Sequence, residues 1–453
     1  MSVRPTLFVV LAAGKGTRMK SSLTKVLHRI AGQSMLAHVL KTASRAGGEI
    51  AVVVGPEADA ISAETLRVVP EARIFEQSAQ RGTGDAVLAA RSLLEEKAGS
   101  DVIVLFGDTP LVRGEVLSEL RGALDNGAGI AVLGFRAKDP TGYGRLILDG
   151  QGTLTAIREE KDANDVEKAI DLCNSGVMAF RVDNVADLLS RIGCDNAKGE
   201  YYLTDVVEVG RQQGIGARVV VCEEAEVLGI NTQEQLATAE TVWQARARSK
   251  FLQSGVTMIA PETVWLSFDT EIAAGVSIEP NVIIGPGVTI EEGVQIRGFS
   301  HLEGATVGKG ARVGPFARLR PGARLGPEVH IGNFVEVKNV TLGDGAKANH
   351  LSYLGDGSVG ANANIGAGTI FCNYDGFNKQ RTEVAEGAFI GSNSSLVAPV
   401  KIGKGAYIGS GSVITKDVSP GALALERNSQ EERPGWAEKF RIMMSRRKAA
   451  RRT

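Results

Sequence analysis

Two groups of residues in this chain have types and spacings that could do chemistry. In the first, a glycine-rich stretch, AAGKGTRM from Ala12 to Met19, follows the apolar run Leu7 to Leu11, and Lys25 comes shortly after. Backbone amides approach an anion closely where no Cβ intervenes, so such a loop after a strand suits phosphate. It is neither a Walker-type P-loop nor a full GxGxxG, because Met19 stands at the third glycine position. Its companions are QSAQRGTG, from Gln77 to Gly84, and Asp108, which follows Gly107 at the end of the apolar run Val102 to Phe106. A carboxylate at a strand end beside a polyphosphate is a natural Mg2+ ligand, because a hard cation takes carboxylate oxygens and bridges phosphate oxygens. Asp108, followed by Thr109 and Pro110, reads equally well as a turn or helix-cap aspartate.

The second group lies far along the chain. His350 could act near neutral pH as a general base, taking the proton from an amine that attacks a thioester. Its plain alternative is a histidine at a turn that is simply hydrogen-bonded. A polar insertion, CNYDGFNKQRTE, carries Asn373, Tyr374 and Lys379, and long loops on rigid scaffolds tend to carry function.

Each group needs a scaffold. For the second it is a six-residue rhythm of single aliphatics: Ile272, Ile278, Ile284, Ile290, Ile296, Leu302, then Val307, Val313, Leu319, Leu325, Ile331, Val337. A short run, Val359, Ile365, Phe371, precedes the insertion, and the rhythm restarts as Val384, Ile390, Leu396, Ile402, Ile408, Ile414. A helix repeats at 3.6 and a strand at two, so a period of six predicts stacked coils, three hexapeptides to a rung of parallel β-helix. Asn339 to Leu354 departs from strict phase. The first half alternates apolar strands (Leu7–Leu11, Ile50–Val54, Val102–Phe106) with helical stretches (His38–Ala46, Asp85–Lys97), which predicts a doubly wound, Rossmann-like α/β domain with ligands at the carboxyl ends of its strands. Between the halves, Thr232 and Gln235 are spaced as a capping box ahead of a connecting helix of about 30 Å that Gly255 ends. The boundaries are 1–231, 232–254 and 255–453, the last closing with a helical tail that contains Trp436, Phe440 and Met443.

Composition narrows the classes. The chain has 453 residues with 43% apolar content, enough for two or three domains with real cores. Lys plus Arg, 51, nearly balances Asp plus Glu, 52, which gives no argument for a nucleic-acid or membrane partner. The basic end SRRKAARRT reads as a solvated tail. Cys173, Cys194, Cys222 and Cys372 show no CxxC or zinc-like spacing and read as reduced thiols of a cytoplasmic protein. The opening apolar run is short for a signal peptide.

The strings LAAGKGTRM with Lys25, QRGTGDA, FGDTPL, PTGYGRL, EEKDA, CNSGVM and GEYYLTD resemble, in order, one half of a known family. RLRPGA, GNFVEVK, KANHLSYLGD, NIGAGT, CNYDG and LER resemble its other half. It is the bifunctional N-acetylglucosamine-1-phosphate uridylyltransferase and glucosamine-1-phosphate acetyltransferase family, and the resemblance covers the whole chain. It implies that Leu11, Ala12, Ala13, Gly14, Gln77, Gly82 and Thr83 hold the uridine of UTP, that Lys25 neutralises phosphates, and that Asp108 and Asn231 carry Mg2+. It implies further that Gly142, Glu159 and Asn174 hold the sugar, with Asn231 also in the UDP-sugar site.

In the second half it implies His350 as the base. Arg320, Lys338, Tyr353 and Asn364 would bind glucosamine-1-phosphate, and Ala367, Asn373, Tyr374, Ser392, Ser410 and Arg427 would line the acetyl-CoA groove. Glu336 is a weaker candidate for orienting the base, with a salt bridge as its alternative role. A left-handed coil, a homotrimer with acetyl-transfer sites between subunits, and a product that feeds peptidoglycan and lipopolysaccharide synthesis follow from the same resemblance. Two positions depart from the family: Thr24 stands where proline is common before the lysine, and Phe106 where tyrosine is common before Gly-Asp. The competing readings are a sugar nucleotidyltransferase whose coil is structural, and a scaffold without activity.

Overall fold

The computed structural model describes residues 4–14, 16–56 and 58–450. Lys15 of the glycine-rich stretch and the last three residues of the basic tail lie outside the described residues. The chain folds as two compact units, Met1–Lys250 with Leu266–Phe268, and Phe251–Trp265 with Asp269–Thr453.

The first unit is built on one sheet. Its strands run in the spatial order Ala217–Cys222, Ile130–Arg136, Leu172–Phe180, Asp101–Phe106, Thr6–Ala12, Glu49–Val54 and Arg73–Glu76, and Leu172–Phe180 is antiparallel to both neighbours. Thr6–Ala12 is buried at every position, as a central parallel strand covered on both faces must be. The chain leaves it for Glu49–Val54 on one side and later returns to Asp101–Phe106 on the other, so the strand order switches there, where open α/β sheets take ligands. Helix Met35–Ala46 is capped by the Ser34 hydroxyl, which accepts from Ala37 N–H at 3.1 Å.

The helical stretch predicted over Asp85–Lys97 is two helices, Thr83–Leu88 and Arg91–Glu96. Ala89 and Ala90 make three-residue bonds to Ala86 and Val87, and this tighter turn re-aims the chain so that Val87, Leu93 and Leu94 all reach the core. The connecting helix spans Gln233–Gln253. Its start differs from a reciprocal capping box. Thr232 Oγ1 accepts from Gln235 N–H at 3.2 Å, but Gln235 Oε1 accepts from the N–H of Asn231 at 2.7 Å rather than from that of Thr232.

The second unit is a left-handed parallel β-helix of hexapeptide repeats. Ile272 pairs with Ile290, Ile278 with Ile296 and Ile284 with Leu302, so every third hexapeptide stacks on the same face. These aliphatics are at most partly exposed, and from Ile278 on they form a buried column. The stretch around His350 keeps this stacking: Val313, Ile331, Ala348, Ile365, Ile390 and Ile408 pair in sequence. Rungs are 17 or 18 residues apart there, so the hexapeptide phase slips by one while the ladder continues. The insertion after Phe371 folds as a small hairpin closed by an antiparallel bridge between Tyr374 and Lys379. The tail helix, Trp436–Ala450, is exposed along its length, with Trp436 and Phe440 stacked at 5.0 Å. All four cysteines are free thiols. Among the described residues no helix is long and apolar enough to cross a membrane.

Candidate functional sites

In the first unit, Leu11 lies opposite Phe106, and Gly107 N–H donates to Leu11 C=O at 2.9 Å. The loops leaving these two strands therefore start side by side. The Lys25 ammonium forms an ion pair with the Asp108 carboxylate and donates to Asn231 Oδ1 at 3.0 Å. Gly16 has a φ of 63°, and a Cβ there would fall 2.5 Å from Lys25 Cβ, so the lysine stem runs through space that only glycine leaves open. Ile230 N–H donates to Asp108 C=O at 3.0 Å, which holds the segment carrying Asn231, just ahead of the connecting helix, against the Asp108 turn.

Gln77 is buried, and its amide donates to Gly82 C=O at 3.1 Å and Asp85 Oδ2 at 2.9 Å. Gly82 has a φ of 120° and would put a Cβ 2.6 Å from Tyr201 C=O. Thr83 Oγ1 accepts from Leu203 N–H at 3.0 Å, and Gly84 N–H donates to Tyr201 C=O at 2.8 Å. The Gln80 amide bonds Ala13 C=O. This stretch thus joins the glycine-rich loop, where exposure rises from buried Ala12 to exposed Gly14, to the Tyr201–Leu203 segment.

Asn174 sits at a bulge in its strand, where its N–H donates to Gly144 C=O at 2.8 Å and its Oδ1 accepts from Gly176 N–H at 3.0 Å. Glu159 accepts from the Thr204 hydroxyl at 3.1 Å, and burial pushes its carboxyl up. A Cβ on Gly144 would lie 3.4 Å from Glu159 Oε1, so Glu159 and Asn174 flank the same backbone. Gly142 lies in the exposed turn just before it, with a φ of 86°. At the two departures, the Phe106 ring packs against Gly176, where a Cβ would be 2.8 Å from it, and Thr24 has a φ of −57°, close to the value proline imposes.

In the second unit, Asn333, His350, Ala367, Ser392 and Ser410 each stand two residues past the paired column residues Ile331, Ala348, Ile365, Ile390 and Ile408. They occupy equivalent positions on five successive rungs. His350 is exposed, and its Nδ1 is 2.7 Å from Asn333 Oδ1 one rung away. An amide oxygen only accepts, so Nδ1 carries the proton, and in the neutral imidazole the lone pair then lies on Nε2. Further along the row, Arg427 Nη1 donates to Ser410 C=O at 2.8 Å.

Arg320 pairs with Glu336 at 2.8 Å, and Glu336 also lies 3.7 Å from Arg318. The group bonded to the histidine is therefore Asn333, and Glu336 takes the salt-bridge role. Lys338 Nζ lies 3.5 Å from Asp356 Oδ2. Asp356 also accepts from Asn339 at 2.8 Å and Asn373 at 2.6 Å. Tyr353 and Asn373 converge over Gly355, where a Cβ would be 2.5 Å from the phenol oxygen and 2.8 Å from Asn373 Nδ2. Lys338 faces Lys379 of the hairpin, and this neighbouring ammonium holds Lys379 below the usual lysine range. Asn364 is partly exposed in the strand that pairs with Lys347 and Phe389, and Tyr374 bonds Gly376 C=O at 2.6 Å.

Two residues of these clusters, Asn333 and Asp356, were not singled out in the sequence, and Lys379 was named there only as part of the polar insertion. The available signal for Asn333 was its spacing of 17 from His350, one rung of the coil.

The MobA-like NTP transferase domain family matches residues 8–170, and the bacterial transferase hexapeptide family (six repeats) matches 304–339 and 381–416. Among curated proteins, the chain is 58% identical over 442 residues to the bifunctional protein GlmU of Azorhizobium caulinodans, covering 97% of this chain and 98% of that one. It is 56% identical over 442 residues to the protein of the same name from a Bradyrhizobium species, with the same coverage. To that of Nitrobacter hamburgensis it is 56% identical over 444 residues, covering 98% of each.

Proposed function

The chain belongs to the bifunctional GlmU family, and on that premise we propose how its residues carry two reactions of UDP-N-acetylglucosamine synthesis. The enzyme transfers an acetyl group from acetyl-CoA to glucosamine-1-phosphate, then joins the product to UTP. The observation that carries two activities over one is the full-length match to bifunctional relatives, which spans both halves alike. A nucleotidyltransferase with a merely structural coil, or an inactive scaffold, is not what those relatives support.

For acetyl transfer, His350 Nε2 accepts the proton from the substrate amine as its nitrogen attacks the thioester carbonyl carbon. The C–S bond then breaks, and the CoA sulfur leaves and takes up a proton. Asn333 fixes the imidazole through Nδ1, as a hydrogen-bonded partner commonly fixes a catalytic histidine. Arg320, Lys338 and Lys379 supply the positive charge for the sugar phosphate, and Tyr353 and Asn364 offer groups to its hydroxyls. Ala367, Ser392 and Ser410, on one corner of the coil, with Asn373, Tyr374 and Arg427, line the coenzyme groove. We assign a homotrimer with these sites between subunits.

For uridylyl transfer, an oxygen of the N-acetylglucosamine-1-phosphate attacks the α-phosphorus of UTP in line, and pyrophosphate leaves. Leu11 to Gly14, Gln77, Gly82 and Thr83 hold the uridine; Gly142, Glu159 and Asn174 hold the sugar. Lys25 neutralises phosphate charge. The donor set suits a hard cation such as Mg2+: Asp108 and Asn231 present two oxygens to one ammonium. A bound Mg2+ would stabilise the charge that develops on the phosphate oxygens. Acetyl-CoA and UTP place the work in the cytoplasm. The domains are 1–231 for uridylyl transfer, 232–254 for the connecting helix and 255–453 for acetyl transfer.

The test is incubation with glucosamine-1-phosphate, acetyl-CoA, UTP and Mg2+, with mass analysis of each species. N-acetylglucosamine-1-phosphate should accumulate when UTP is left out. Its absence there sinks the two-step scheme.

A further inference from the structure

We propose that Asp356 is a positioning residue for acetyl transfer, one buried carboxylate that sets a binding group for each of the two substrates. The inference rests on the acetyltransferase reading above. Asp356 is 7% exposed and has a φ of 51°, a left-handed conformation that non-glycine residues adopt at a cost. Its Oδ1 accepts from Asn339 at 2.8 Å, and its Oδ2 accepts from Asn373 at 2.6 Å and lies 3.5 Å from Lys338 Nζ. Lys338 is assigned to the sugar phosphate and Asn373 to the coenzyme, and both lean on the same oxygen.

An ionised carboxylate is the side chain that accepts from every direction, whereas an amide in its place would turn an NH2 toward one of three donors. With its Nδ2 committed to Asp356, Asn373 keeps Oδ1 to accept from a ligand. With its ammonium held from the coil side, Lys338 has its remaining N–H groups for phosphate. The neighbouring Arg320 and Lys379 leave the cluster with more cations than the two acids, Glu336 and Asp356, so an anion completes it. Asn339, also at a φ of 51°, braces the other oxygen and fixes the carboxylate plane.

The test is steady-state kinetics of the full chain carrying Asp356→Asn, Lys338→Met, Asn373→Ala, or Asp356→Asn with Lys338→Met. Asp356→Asn should raise KM for both glucosamine-1-phosphate and acetyl-CoA about tenfold, the scale of one charged hydrogen bond. The acetyl-transfer kcat should change less than this, and uridylyl transfer by the same protein should be unchanged. The double variant should have the glucosamine-1-phosphate KM of Lys338→Met alone, a non-additivity that a merely structural role does not produce. Where Asp356→Asn lowers the yield of folded protein, Asp356→Glu keeps the charge but displaces it, and it should raise both KM values as well. Unchanged KM values, or full additivity with Lys338→Met, overturn the proposal. If Lys338→Met and Asn373→Ala themselves leave both KM values unchanged, the substrate assignments fail instead.

Discussion

His350 and Asn333 show what a single hydrogen bond decides. Replacing His350 with Ala removes the base and should slow acetyl transfer by about 10²–10⁴, the range for general acid–base catalysis, with uridylyl transfer retained. Acetyl transfer that persists unchanged refutes the assignment. Asn333→Ala keeps the base but frees its tautomer, so it should cost acetyl transfer less than His350→Ala does, again without touching uridylyl transfer. The sequence carried His350 through its type and its motif. The Asn333 bond crosses from one rung to the next and became legible only once the rung spacing was known. In the first unit, Asp205 makes a pH prediction. Burial, then the Glu208 and Glu159 carboxylates, push its carboxyl up to about 6. Its unfolded value is near 3.9, so between about pH 4 and 6 the folded chain holds a proton that the unfolded chain has lost, and stability falls as pH rises through that window. Above pH 6 the cost is fully present. Asp205→Asn should therefore be more stable than the parent at pH 8, by about 1 kcal/mol after allowing for solvent screening at this half-buried site, with the gain fading as pH falls from 6 to 4. Urea melts at pH 4, 6 and 8 measure this, and an equal gain at all three contradicts it.

At the scale of elements, the coil was legible because one buried aliphatic per hexapeptide admits few other readings, whereas the proposed active-site row depends on corners where bare backbone passes bare backbone. Gly391 illustrates such a corner: a Cβ there would lie 2.4 Å from Ser410 N and 2.7 Å from Ile408 C=O. Gly391→Ala should destabilise the coil by about 1–3 kcal/mol, as overpacking of close-packed structure does, and should raise the KM for acetyl-CoA through the displaced Ser410. Thermal melting and initial rates read both, and a variant that matches the parent in each refutes the link. In the α/β unit the strands were plain as apolar runs, but the split of the Asp85–Lys97 stretch at Ala89 and Ala90 was not, since alanine favours helix and only the burial of Leu93 and Leu94 explains the turn. The return bond of Gln235 to Asn231 was similarly hidden, because a capping spacing does not say which N–H the glutamine takes.

At the scale of the whole molecule, the groups this chain would offer to each proposed site lie within one of its compact units. Lys25, Asp108 and Asn231 belong to the first unit, and His350, Asn333, Lys338 and Asp356 to the second. Residues as distant in sequence as Lys25 and Asn231 meet only through the fold, so the local strings could name them by resemblance but could not bring them together. If each unit completes its own reaction, the intermediate N-acetylglucosamine-1-phosphate must be a free product of one and a free substrate of the other. Lys25→Met should lower uridylyl transfer by about 10²–10³, the cost of removing one charge-stabilising donor, and leave acetyl transfer intact. His350→Ala should do the reverse. Mixing the two purified variants with glucosamine-1-phosphate, acetyl-CoA, UTP and Mg2+ should then restore UDP-N-acetylglucosamine synthesis, after a lag that shortens as more of the Lys25→Met protein is added. A mixture that stays inactive while each variant keeps its remaining reaction would mean that the intermediate is never released, and that the two units work only within one assembly.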